Sequence, residues 1–226
     1  MRKDKNLIDD GFNAELVENA IFDGLLEIPV IKKPKEIIIP EKVIPFTKRK
    51  RSSLKNEFIV FYEHDIRFRD VLTSTKEFLD EMKTYRGIVS PDPSLYYNMP
   101  LVLQMANVYM NRAVGHFFQK NGLYVIPNVR WGDERSYNSI HPDEIPFAFL
   151  GLEKGSIYSI GTYGCCQSAE EKHHIREGLR AMIHYLEPKV IVVYGPMSER
   201  IFGEFKSKVT FIHFNDWTSE CRKEDK

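Results

Sequence analysis

The sequence predicts an α/β protein, built on a mostly parallel sheet of about six strands with flanking helices. Two observations carry this. Short apolar runs alternate with amphipathic helical stretches from Phe58 to Phe214, in the order strand, helix, strand that marks a βαβ unit. Among them, Val190-Ile191-Val192-Val193-Tyr194 has the unbroken β-branched character of a strand buried on both faces. Right-handed crossovers follow from that order, and an open sheet and a small or incomplete barrel both satisfy it.

Phe58 to Tyr62 reads as the first strand of the main domain and ends in the polar group Glu63-His64-Asp65. Phe68, Val71, Leu72, Phe78, Leu79 and Met82 fall on one helical face, and Gly87 to Ser90 is a short second strand. Pro100 suits the first turn of a long apolar helix, Gly122 suits its C-terminal end, and a third strand begins at Leu123. Ile157 to Ile160 is a further strand. Ser168-Ala169-Glu170-Glu171 is a capping box that opens a helix with Ile175, Leu179, Met182, Ile183 and Leu186 inward, and Pro188 stops it. After Val190 to Tyr194 come a short helix around Ile201 to Phe205 and a last strand, Val209 to Phe214.

Residues 1–55 have a different character from residues 56–226. A weak helical pattern before Gly24 (Leu16, Val17, Ala20, Ile21) precedes a stretch punctuated by Pro29, Pro34, Pro40 and Pro45, and then the basic run Lys48-Arg49-Lys50-Arg51. This predicts a short helix and an extended proline-containing arm ahead of one main α/β domain. A solvated linker is the plainer reading of the basic run, and a nucleic-acid contact the sharper one.

Composition narrows the function classes. The chain of 226 residues carries 32 basic and 32 acidic side chains, so no net field draws the whole molecule to nucleic acid or to an anionic membrane. No apolar run approaches the roughly 20 residues of a bilayer span, and no signal-peptide pattern opens the chain, which points to the cytoplasm. Three cysteines, with Cys165 and Cys166 adjacent, make no disulfide framework and fit free thiols.

In both parallel architectures the chemistry belongs at the C-terminal ends of the strands, where loops converge without being needed for packing. Asp65, Asp92 and Asp133 lie in such loops and are the candidate catalytic carboxylates. They suit a hard cation, or a division into acid and base if their environments separate their pKa values. Arg67, Asn128, Arg130, Trp131 and Thr162 are the candidate ligand-binding residues: guanidinium groups for a phosphate or carboxylate, an aromatic face for a base or sugar, and a loop hydroxyl and amide. Arg112 is a further candidate cation, and Tyr96 and Tyr163 are further stacking faces. The plainer alternative is that these aspartates and arginines pair with one another or cap helices, while Trp131 packs. His213 with Asp216 has the composition of a base and its orienter. Cys165 and Cys166 near His173 and His174 match no zinc spacing. Neither a phosphate-loop lysine nor a dinucleotide glycine pattern is present, so no cofactor is specified.

Four stretches, Phe61-Tyr62-Glu63-His64-Asp65, Ser90-Pro91-Asp92-Pro93-Ser94-Leu95-Tyr96, Pro127-Asn128-Val129-Arg130-Trp131-Gly132 and Val193-Tyr194-Gly195, together resemble an uncharacterised bacterial and phage family, a domain of unknown function common on mobile elements. The likeness spans roughly Asn56 to Trp217, with Pro93 standing where that family usually has an aromatic. It implies a genomic setting and no mechanism. The residues themselves lead to two expectations: a strand-end pocket for a phosphate-bearing small molecule or nucleic acid, with hydrolysis as the reaction, or a non-enzymatic interaction module of a phage or mobile element.

Overall fold

The computed structural model describes residues 13–52, 55–165 and 167–224. Within them, β1 (Phe22–Asp23) and β2 (Ile28–Pro29) form an antiparallel hairpin. Next, β3 (Val43–Pro45), β4 (Phe58–Val60), β5 (Gly87–Val89) and β6 (Val125–Ile126) pair in parallel and in chain order. A second parallel set follows, β7 (Ile157–Gly161), β8 (Val190–Tyr194) and β9 (Thr210–Phe214). The two sets meet just beyond β6, where Asn128 and Ser159 form a parallel bridge. There the amide of Val129 donates to the Ser159 carbonyl and the amide of Ser159 to the Pro127 carbonyl, each at 2.8 Å. From β3 to β9, neighbours in space are therefore neighbours in the chain, as successive right-handed crossovers produce.

The array curls. The rings of Tyr62, at the end of β4, and Tyr194, at the end of β8, stack with centroids 5.3 Å apart. Four strand steps on a flat sheet would separate them by about 19 Å. Phe58, Val60, Val89, Ile126, Ile157 and Val192 form one apolar cluster on the inner face. The alternate residues Ile59, Ile88, Val125, Tyr158, Ile191 and Val193 pack outward into the larger core under the helices. Period-2 alternation thus serves two buried faces, which is why the strands read as unbroken apolar runs. No pairing joins β3 to β9 among the described residues, so the barrel is open.

The long helices match their predicted signals. Pro100 precedes the helix Leu101–Lys120, and Gly122 follows it at φ +91°. Ser168 and Glu171 form the capping box of the helix Ala169–Leu186, in which Leu179, Met182 and Leu186 are buried. Gly178 lies on this helix directly beneath the Trp131 indole, where an added Cβ would fall closer to Nε1 than real Cβ contacts allow. The indole Nε1 donates to the His174 carbonyl at 2.9 Å.

Three readings need correction. The face from Phe68 to Met82 is not one helix: after a turn at Asp65–Arg67 it breaks into Arg69–Thr73, Thr75–Phe78 and Leu79–Met82. Buried Thr75 bonds back to the Val71 carbonyl at 2.7 Å, a local alternative to the helical ladder. The segment before residue 56 is extended, yet it is built into the fold. Its Val43–Pro45 is strand β3, and a proline is tolerated there because β3 is an edge. Of the predicted N-terminal helix, Ala14–Val17 is a single 3-10 turn capped by Asn13, and residues 1–12 lie outside the described residues. The last element among the described residues is the helix Trp217–Glu224. Among the described residues no helix is long and apolar enough to cross a membrane.

Candidate functional site

The inward tyrosines Tyr62 and Tyr194 lie at the C-terminal mouth of the open barrel, and above them is a cavity of about 460 Å³. Gly161 is required beside Tyr62, since a Cβ there would collide with the Tyr62 ring. Loops from both strand sets line it: Lys48 after β3, His64 and Arg67 after β4, Asp92, Ser94 and Tyr96 after β5, and Arg130 after β6. Tyr163 and Cys165 after β7, and Asp216 and Trp217 after β9, close the other side.

A buried polar network supports this site. Asp92, 5% exposed, accepts from Asn128 Nδ2 at 2.7 Å and faces Arg130, whose Nη1 lies 3.3 Å from Oδ2. Arg130 also donates to the Gly161 carbonyl at 3.3 Å and to Cys165 Sγ at 3.2 Å. The Tyr62 hydroxyl donates to Ser159 Oγ at 2.7 Å and lies 3.1 Å from Asn128 Oδ1. Burial pushes the Asp92 carboxyl above its ordinary range, with Arg130 and Asn128 opposing and Asp65 adding. Burial would also lower the Arg130 pKa, but Asp92, Cys165 and Tyr62 outweigh it and hold the guanidinium charged. Burial is likewise the main reason the Tyr62 hydroxyl titrates well above its ordinary value.

Of the predicted residues, Asp92, Arg130, Asn128, Asp65 and Arg67 are gathered here. Asp65 is one step removed: its carboxylate accepts from the Ser94 amide at 3.0 Å and from the Ser94 hydroxyl at 2.7 Å, which holds the Ser90–Tyr96 loop against the rim. Three others are engaged elsewhere. Asp133 caps the short helix Glu134–Tyr137 and pairs with Arg135 at 2.7 Å. Burial raises its pKa, but the Arg135 contacts prevail and leave it lowered. Trp131 packs on Gly178, and the Thr162 hydroxyl donates to the Pro196 carbonyl at 2.7 Å.

Arg112 is a structural arginine. Only 1% exposed, it donates to the carbonyls of Leu150, Asn128 and Ala148 at 3.0, 2.9 and 2.9 Å, and burial pushes its pKa down to about 9, which leaves it a cation at neutral pH. His213 Nε2 lies 2.8 Å from the Gly195 carbonyl, while Asp216 accepts from the Ser219 amide and hydroxyl, so these two do not form a base and its orienter. Among the described residues no group of three His, Cys, Asp or Glu is placed to hold a metal ion.

The rim also holds residues that sequence reasoning noted but did not assign to the pocket. Lys48 belongs to the basic run, whose Arg49 is tied down by Glu81 at 3.0 and 3.1 Å. Its position directly after β3 was the available signal, hidden because that strand has only three residues. The carboxylates of the wall are all engaged: Glu63 accepts from the Thr47 amide and hydroxyl, Asp92 from Asn128, and Asp216 from Ser219. Among the described residues, the side chains of Lys48, His64 and Arg67 have no protein partner. Tyr96 and Tyr163 stand beside them 56% and 50% exposed.

A family profile described as Domain of unknown function (DUF4417) matches residues 20–215, a range that contains the nine strands found among the described residues. The Gene 1 protein of Mycobacterium phage L5 is 33% identical over 137 residues, 61% of this chain and 56% of that protein. The Gene 1 protein of Mycobacterium phage D29 is 26% identical over 147 residues, 65% of this chain and 52% of that protein. The chain thus spans about half the length of these phage relatives. No solved structure matches. With the profile running from the first strand to the last, the chain belongs to the family described as Domain of unknown function (DUF4417).

Proposed function

We propose that the strand-end cavity binds a phosphate-bearing ligand, a nucleotide or the end of a nucleic acid, and that hydrolysis is the reaction it serves. The observation that carries this is the imbalance of satisfaction on the wall. Every carboxylate already has protein donors, whereas Lys48, His64 and Arg67 have no partner among the described residues and open on the same space. Two cations, Lys48 and Arg67, held without acceptors at a concave site favour an anion, and the exposed rings of Tyr96 and Tyr163 offer faces on which a base can stack. In hydrolysis Asp92 is the acid–base group, since its raised pKa brings the carboxyl closer to the pH at which proton transfer is efficient. Arg130 beside it supplies positive charge for the developing phosphate charge.

The second reading, an interaction module without chemistry, rests on Lys50 and Arg51, which are exposed and without a side-chain partner among the described residues. Thermal shift with inorganic phosphate, nucleoside mono- and triphosphates and short oligonucleotides tests the pocket. Arg67→Ala leaves the ligand-free melting temperature unchanged, because the side chain holds nothing in the protein. It weakens the ligand by about 1.5 to 3 kcal/mol, the scale of a charge-assisted hydrogen bond. If no compound stabilises the wild type, or if Arg67→Ala responds as the wild type does, the cavity is not an anion site. Retained binding without turnover, in wild type and Asp92→Asn alike, selects the module.

A further inference from the structure

The chain has no net charge, yet cations recur at one end of the fold. Each of the seven parallel strands is entered through a segment carrying lysine or arginine: Lys42 before β3, Lys55 before β4, Arg86 before β5, Lys120 before β6, Lys154 before β7, Lys189 before β8 and Lys208 before β9. A parallel sheet places all seven entrances at one end, opposite the cavity.

The former arm crosses that end as a strap. The amide and carbonyl of Lys32 both bond the Gln119 side chain, at 2.8 and 2.7 Å. The amide of Lys33 donates to Glu153 at 2.6 Å, and that of Ile38 to the Tyr124 hydroxyl at 2.8 Å. The strap's backbone is therefore fixed while Lys32, Lys33 and Lys35 project into solvent. The surface is continuous. Lys33 adjoins Glu153 ahead of β7, the Lys189 amide donates to the Ser156 carbonyl at 2.9 Å, and Val190 pairs with Thr210 beside Lys208. Two shallow depressions lie on it, one between Lys32, Lys35 and His116, the other between Lys189, Lys206 and Thr210.

Three acids of this end are engaged, while Glu36 and Glu41 on the strap are exposed and are outnumbered by the lysines around them. Glu153 receives the strap, Glu187 pairs with Lys154 at 2.9 Å, and Glu57 accepts from Ser52. Lys32, Lys33, Lys35, Lys42, Arg86, Lys189 and Lys208 are exposed, with no side-chain partner among the described residues. We infer that the strand-entry face is a docking surface for the phosphate backbone of a nucleic acid. An extended polyanion matches cations set out along a row of strands at steps of about 4.8 Å. A membrane partner fits less well. Interfacial binding needs apolar side chains beside the cations; Ile39 lies on the strap, Ile66, Val102 and Leu103 lie at the other end, and the exposed Ile21, Phe22, Leu25 and Leu26 belong to the β1–β2 hairpin, which packs through Ile28 on Val108 of the long helix rather than on the strand entrances. This inference is independent of what the cavity binds.

The test is fluorescence anisotropy of the full chain with a mixed-sequence 20-base-pair duplex across a salt series, beside a variant carrying Lys32→Gln, Lys33→Gln, Lys189→Gln and Lys208→Gln. The wild type binds at about 50 mM salt, and log affinity falls linearly with log salt. The fourfold variant keeps its circular dichroism and melting temperature but binds more than tenfold more weakly, with a salt slope smaller by about 3 to 4 if each lysine neutralises one phosphate. A control carrying Lys172→Gln and Arg200→Gln, two exposed cations at the opposite end that do not line the cavity, binds the duplex as the wild type does, which separates this face from a general loss of positive charge. The inference is overturned if the duplex does not bind, if the fourfold variant binds equally well, or if only vesicles containing phosphatidylserine bind.

Discussion

Replacing Asp92 by alanine removes the anionic half of the buried pair under the cavity, and its cost follows from what remains. The pair spans 3.3 Å with its side chains 15% and 6% exposed, and Asp92 also accepts from Asn128 at 2.7 Å. Deleting one partner of a fully buried pair costs about 3 to 5 kcal/mol, because the other charge is left uncompensated. Arg130 retains Gly161 and Cys165 and borders an open cavity, so part of its solvation is recovered. Asn128 loses an acceptor, which adds about 1 kcal/mol. The balance is about 2 to 4 kcal/mol, or a fall in Tm on the order of 10 °C for a chain of this size. Chemical denaturation at pH 7 with circular dichroism reads it directly, and a cycle with Arg130→Ala isolates the coupling. A loss below about 1 kcal/mol with no coupling would refute the reasoning, since it would mean the two groups are solvated independently.

Acid stability separates two aspartates by sign. The folded pKa of Asp92 is raised above its unfolded value of about 3.9, so its contribution falls as pH rises through that window, and Asp92→Asn flattens the fall. The folded pKa of Asp133 is lowered, so its contribution is present above that value and lost as pH drops, and Asp133→Asn weakens the acid-limb loss. Melting curves from pH 3 to pH 7 that move the same way for both variants would contradict the assignment. Gly178→Ala drives a methyl into the Trp131 indole and disturbs its bond to His174, costing about 1 to 3 kcal/mol. A red-shifted tryptophan emission should accompany that loss. Arg112→Lys keeps the charge but cannot reach three carbonyls at once, and should cost about 2 to 3 kcal/mol in urea denaturation; an unchanged midpoint would remove Arg112 from the scaffold.

The sequence by itself determined the strands and helices whose signals are local. Val190 to Tyr194, the Ser168 capping box and Gly122 are each legible because apolar period, cap chemistry and glycine φ act within a few residues. The convergence of Asp92, Asn128 and Arg130 was also legible, because a parallel sheet gathers the ends of its strands wherever they lie in the chain. Tertiary structure decided what those local signals leave open. Asp92 faces Arg130 while Asp133 turns to Arg135, a choice set by which side of a loop each carboxylate leaves, and loop direction has no period to read. A three-residue edge strand between Pro40 and Pro45 is too short to show alternation, so the arm's place in the sheet emerged only from its pairing with β4. Curvature was likewise invisible, because residues on either face of a doubly buried strand are equally apolar; the stacking of Tyr62 on Tyr194 fixes it across the barrel mouth. A balanced composition likewise hides where individual charges gather, since charge is summed along the chain but felt in space, and only the shared direction of the strands brings Lys42, Arg86, Lys189 and Lys208 to one end.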